Sequence, residues 1–341
     1  MTDVSEQRSE APDSAASADD RRAWRNWLLI VLSLGAICST TLWLAVVLID
    51  PFSTGRFALT QRIDITTTNS RLADVALARN RNFNGAIFGD SVSITLDPKS
   101  VARGSNWRLA QLGIYAADVS EVTTVASAFE REHRDGRTLE IFVLSNRWCG
   151  DQQSALKGNI PFPYWLYDTS NAVYLSRLLS PEAASLSLMR LKIWLGKTRP
   201  ELRDDGYLDR VFVRTTVPLP MQRPSVGPAP AAPFPAIDAL TAHIAALPDN
   251  REVAIVFAPL YVGTLPLAGS AAAARLDACK QRLREAAARR SHAAYLDLMT
   301  ENSLTRDAEN YFDSLHLVSA AVPQFEASIT QLIEQSGLRP E

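Results

Sequence analysis

The chain has 341 residues, 47% of them apolar and 21% charged, with a formal net charge of −2. That length buries one substantial α/β core with a small appendage and falls short of two full domains. The near-neutral balance lacks the basic footprint that neutralising phosphates requires, so no nucleic-acid partner is expected.

Residues 1–22 read as a disordered cytoplasmic tail, because a stretch rich in Ser, Ala, Asp and Glu buries too little apolar surface to offset the entropy of ordering. Residues 23–50 follow as a transmembrane anchor. From Trp27 to Ile49 no side chain is charged, and at about 1.5 Å per residue that stretch crosses a hydrocarbon core of about 30 Å. It runs through Leu42, Trp43 and Leu44 into Asp50-Pro51 without a small-residue cleavage site, as expected of an uncleaved anchor. Arg21, Arg22 and Arg25 precede the span and Asp50 ends it, so the positive-inside rule keeps the N-terminus cytoplasmic and the remainder outside. The membrane bilayer is the first expected partner.

Residues 51–83 are a linker and lead-in. Beyond them short apolar runs alternate with helical patterns, the signature of a mostly parallel sheet covered by helices on both faces. Strands are predicted at Gly85–Phe88, Arg108–Leu112, Leu139–Leu144, Val253–Phe257 and Ala294–Leu298. Helices are predicted at Val119–His133, Ile237–Ala246, Ala271–Arg290 and Ala320–Glu334. Residues 150–236 are too long for an ordinary connection and read as an insertion, aromatic at Phe162, Tyr164, Trp165 and Tyr167 and Pro-rich from Val217 to Ala236. The aromatics suit either a small local core or a sugar-stacking surface, the former being the commoner use.

In open parallel sheets ligands bind beyond the carboxyl ends of the strands. After the first strand comes Gly89-Asp90-Ser91, where a glycine permits a tight turn that presents a serine. Near the C-terminus comes Asp313-Ser314-Leu315-His316, with a carboxylate three residues before an imidazole whose tautomer it can fix. Each motif alone is ordinary, the first as a turn and helix cap, the second as a solvated pair.

Taken in order with Gly113 after the second strand and Asn146 after the third, these residues resemble the four blocks of the SGNH (GDSL-like) hydrolases. The chain departs from the family's third block, carrying Leu144 and Arg147 where a glycine and an aspartate are usual. The resemblance spans residue 84 to the C-terminus apart from the insertion. It implies a flavodoxin-like three-layer α/β/α sandwich (the SGNH hydrolase fold) over residues 84–341, with a catalytic triad of Ser91, His316 and Asp313. The backbone N–H groups of Ser91 and Gly113 and the amide of Asn146 would form the oxyanion hole. Membrane-anchored relatives in alginate O-acetylation and in D-alanyl transfer to teichoic acid share the architecture. The implied function is therefore that of an esterase or O-acyltransferase at the inner (cytoplasmic) membrane. Its catalytic domain would be periplasmic, its partners an acyl-donor ester and an envelope polysaccharide. The alternative is a non-catalytic envelope glycan-binding or assembly protein.

Cys149 and Cys279 would pair only if their Cα atoms approach within about 7 Å. His133, His243 and His292 are scattered without partners at metal-ligand spacing, so neither metal nor cofactor is expected.

Overall fold

The computed structural model describes residues 18–60, 62–150, 161–209, 212–213, 219, 221–226 and 233–340. Residues 1–17 of the expected disordered tail and nearly half of the Pro-rich stretch lie outside them, whereas residues 18–22, expected to belong to that tail, are helical.

Helix α1 runs from Ala18 to Ile49 and is long and apolar enough to cross a membrane. It stops where Asp50 takes a left-handed φ of 52° while donating its N–H to Val46 O at 3.1 Å. Pro51 then bars any continuation. Helix α2 (Ser70–Ala78), capped by Asn69, leads into β1 (Gly85–Gly89). The chain continues through α3 (Pro98–Val101), β2 (Leu109–Gly113), α4 (Val119–Glu132) and β3 (Thr138–Leu144). After α5 (Tyr164–Tyr167), α6 (Asn171–Arg177) and α7 (Pro181–Trp194) come α8 (Pro235–Ala246) and β4 (Arg251–Phe257). Helix α9 (Ala271–Ala288), β5 (Ala293–Asp297), α10 (Ser303–Arg306) and α11 (Val322–Gln335) complete the order. Each predicted strand and helix is present within a few residues of its expected bounds.

The five strands form one parallel sheet in the order β2-β1-β3-β4-β5. Strands such as Ile87-Phe88 and Ile141-Phe142-Val143 are apolar on successive residues because both of their faces are covered. The step from β1 to β2 runs opposite to the later steps. The right-handed rule for parallel crossovers therefore puts α3 on one face and α4, α8 and α9 on the other. The packing agrees: α3 meets α11, while α4, α8 and α9 lie side by side. Direction reverses between β1 and β3, and their carboxyl ends open the crevice where ligands bind in such sheets.

Residues 51–83 are more than a linker, since α2 is buried along nearly its whole length against β2 and α4. The insertion is likewise structural. Asp205 O accepts from Gln111 N at 2.7 Å and covers the free edge of β2. Its aromatics form a local core, with Phe162 stacked on Tyr167 and Trp165 edge-on to Phe52 of the lead-in. Helix α7 sends the fully buried Arg190 into the exit of α1. There it donates to Ile49 O at 2.7 Å and pairs with the buried Asp64 at 3.3 Å and Asp50 at 3.7 Å. Asp50 in turn accepts from Thr54 N, Thr54 Oγ1 and Tyr174 Oη, and Trp194 Nε1 donates to Asp64. Removing one partner from such a set typically costs about 3–5 kcal/mol, because the others stay buried and charged.

Candidate active site

Ser91 emerges from β1 on a turn closed by Ser93 N donating to Asp90 O at 3.0 Å. Only glycine fits at position 89: φ is 157°, and a Cβ there would lie 2.3 Å from Val143 O. The partly exposed Ser91 hydroxyl is 2.8 Å from His316 Nε2, 225 residues away in sequence.

His316 and Asp313 sit on a loop pinched by the antiparallel bridge between Tyr311 and Leu317, both buried. Asp313 Oδ1 accepts the backbone N–H groups of Leu315 and His316, each at 2.8 Å. An aspartate that turns its own loop in this way also faces the imidazole, and Nδ1 lies 2.9 and 2.8 Å from its two oxygens. Burial by itself would raise the Asp313 pKa. The hydrogen bonds from the His316 ring and from the two amides outweigh that and hold the carboxyl below its usual range. The proton on Nδ1 leaves Nε2 as the acceptor for the serine hydroxyl.

Asp90 is buried behind this pair. Its Oδ1 accepts from Val92 N at 3.2 Å and its Oδ2 from Ser145 Oγ at 2.6 Å. Burial pushes its pKa up, against the pull of the Ser145 and Val92 bonds and the nearby Arg147 and His316.

The expected oxyanion donors differ in their state. The N–H of Ser91 and the carboxamide of Asn146, the first residue of a 3₁₀ turn (Asn146–Cys149), make no hydrogen bond among the described residues. The Gly113 N–H is engaged, donating to Gln111 Oε1 at 3.0 Å while Gln111 Nε2 holds Ser93 O and Leu96 O. It would have to leave Gln111 to bind an oxyanion. Gly113 itself is needed sterically, since a Cβ there would lie 2.3 Å from Ser93 Oγ. The turn after β2 also holds Ala116 at φ 50°, a left-handed conformation that costs a non-glycine residue of order 1 kcal/mol.

Cys149, at the end of the 3₁₀ turn, is bonded to Cys279 of α9, with Cα atoms 5.6 Å apart. Sequence reasoning left this pairing open, and it also missed Ser145 and Gln111, whose roles depend on which strands neighbour β1. Fold brings together one further group, Glu130, Glu140 and His243, whose ligand atoms lie within 4.8 Å of one another. They come from α4, β3 and α8 and show no spacing in sequence. Arg251 Nε, 3.9 Å from Glu140, already supplies a cation there.

No protein-family model matches this chain, and no curated protein matches it.

Proposed function

We propose that the chain is a membrane-anchored serine esterase or O-acyltransferase that passes a short acyl group through Ser91. The observation that carries this reading is the unbroken hydrogen-bonded line from Ser91 Oγ through His316 to Asp313. It stands at the carboxyl end of β1, beside the point where the sheet reverses direction. The resemblance to SGNH hydrolases supports the same roles.

In the proposed reaction Ser91 Oγ attacks the ester carbonyl and His316 Nε2 takes its proton. The imidazolium so formed is stabilised by Asp313. The Ser91 N–H and the Asn146 amide donate to the oxyanion, each such donor being worth about 3 kcal/mol of barrier. His316 then protonates the leaving alcohol, and the acyl-enzyme passes its acyl group to water or to a glycan hydroxyl. The extracytoplasmic assignment is supported by the charge-free length of α1 and by the Cys149–Cys279 bond, since disulfides persist in oxidising compartments.

Fluorophosphonate labelling of the full chain in detergent tests the reading, because residues 50–54 are buried and a fragment lacking α1 would disturb them. Labelling of wild type that is lost in Ser91→Ala and His316→Ala is the expected result. Absence of labelling in folded wild type would favour a glycan-binding or assembly role, a reading supported by the engaged Gly113 amide.

A further inference from the structure

Helix α7 is built the wrong way round for a helix covering a soluble domain. Its buried positions are Ala183, Ser187, Arg190 and Ile193, whereas Leu188, Met189 and Leu195 are exposed, at 61%, 38% and 67%. Leu179 before it and Val173 on α6 are exposed as well, at 73% and 38%. Outside α1, five of the twelve exposed large apolar side chains among the described residues thus fall between positions 173 and 195. A patch so concentrated marks a surface with a partner.

Its position beside α1 indicates which partner. Trp43 Nε1 donates to Leu175 O at 3.2 Å, and α7 packs on the last turns of α1. Trp43 precedes Ile49 by six residues, about 9 Å along the helix. The uncharged stretch from Trp27 to Ile49 is about 34 Å long, so centring it on a core of about 30 Å puts Trp43 about 7 Å inside the outer boundary. Interfacial helices sit about 5–10 Å into that boundary, at the same depth. Between residues 171 and 200 the exposed charges are chiefly cationic, with Arg177, Lys192, Lys197 and Arg199 against Glu182, while the acidic Asp168 and Glu201 flank that stretch; the local cationic excess suits anionic headgroups.

We infer that α6 and α7 lie in the outer membrane–water interface, with Leu179, Leu188 and Leu195 in the acyl region and Lys192, Lys197 and Arg199 at the headgroups. The inference rests on reading α1 as a membrane span. It adds a second lipid contact, which fixes the orientation of the catalytic domain.

Spin labels on single cysteines test it, in full-length Cys38→Ser protein with the Cys149–Cys279 bond left intact. The protein is reconstituted in phosphatidylcholine–phosphatidylglycerol vesicles. Labels go to Leu188→Cys and Leu195→Cys, to Leu34→Cys within the span, and to Glu285→Cys on α9, which packs on β5 at the sheet edge opposite β2. The expected ratio of oxygen to nickel-chelate accessibility at 188 and 195 approaches that at 34 and exceeds that at 285 by about threefold or more. Values at 188 and 195 equal to 285, with 34 in lipid, would overturn the inference and leave the anchor standing. A water-like value at 34 would overturn both. Shielding of 188 and 195 from both reagents would assign the patch to a protein partner and overturn the lipid contact.

Discussion

Ser145 Oγ donates to Asp90 Oδ2 at 2.6 Å, tying the residue before Ser91 to the residue before Asn146. One buried bond therefore sets the spacing of the proposed nucleophile and the proposed oxyanion donor across the carboxyl ends of β1 and β3. Asp90→Ala leaves the Ser145 hydroxyl and the Val92 N–H buried without a partner, at about 1–3 kcal/mol each. The expected outcome is a lower Tm together with fluorophosphonate labelling slowed by about 10–100-fold through lost alignment. Asp90→Asn, which keeps an acceptor oxygen, should recover part of both.

Asp313→Asn is expected to reduce kcat on an aryl acetate by about 10²–10⁴, since a carboxamide no longer favours the Nδ1-protonated tautomer and no longer stabilises the imidazolium. Asn146→Ala should cost about 10²–10³ in kcat with KM little changed. The Asp313 carboxyl has a folded pKa below its unfolded value. Its stabilising contribution is thus complete above about pH 4 and is lost as pH falls through the folded value. Acid unfolding curves of Asp313→Asn should lack that component.

The Cys149–Cys279 bond spans 130 residues. In the chain-entropy account a loop of that size is worth about 5 kcal/mol, or about 10 °C in Tm for a chain of this size. Reduction or the Cys149→Ser, Cys279→Ser pair should show this loss by calorimetry. Turnover should fall as well, because Cys149 closes the same 3₁₀ turn that Asn146 opens.

Glu140 is fully buried in β3, with neither carboxylate oxygen hydrogen-bonded. Burial, reinforced by Glu130, raises its pKa well above the ordinary carboxyl value of 4.5. Between 4.5 and the folded value the folded state holds a proton that the unfolded state has released, so rising pH weakens the fold across that window. Glu140→Gln is expected to raise Tm near neutral pH, by an amount that shrinks towards pH 4.5.

Much of the fold was legible because its signals are local. Consecutive apolar runs such as Ile141 to Leu144 announce strands covered on both faces, and the charge-free stretch from Trp27 to Ile49 announces α1. The Ser91, His316 and Asp313 cluster was legible only through the ordered resemblance to the SGNH blocks, since neither Gly-Asp-Ser nor Asp-x-x-His marks a site by itself. Gln111 and Ser145 carry no such mark. Gln111 matters because its amide bridges β2 and the turn after β1, and Ser145 because β3 neighbours β1. The packing of residues 51–83 was hidden too, because nothing local in the sequence marks Asp64 for burial and its partner Arg190 lies 126 positions away.

The separation of 225 residues between Ser91 and His316 has a temporal side. A ribosome adding about 5–20 residues per second takes about 10–45 s to go from one to the other. For that interval a growing chain carries the serine without its proposed base. On the proposed mechanism, reactivity is thereby withheld until the sheet is complete through β5, and a chain truncated before Asp313 is expected to be chemically inert.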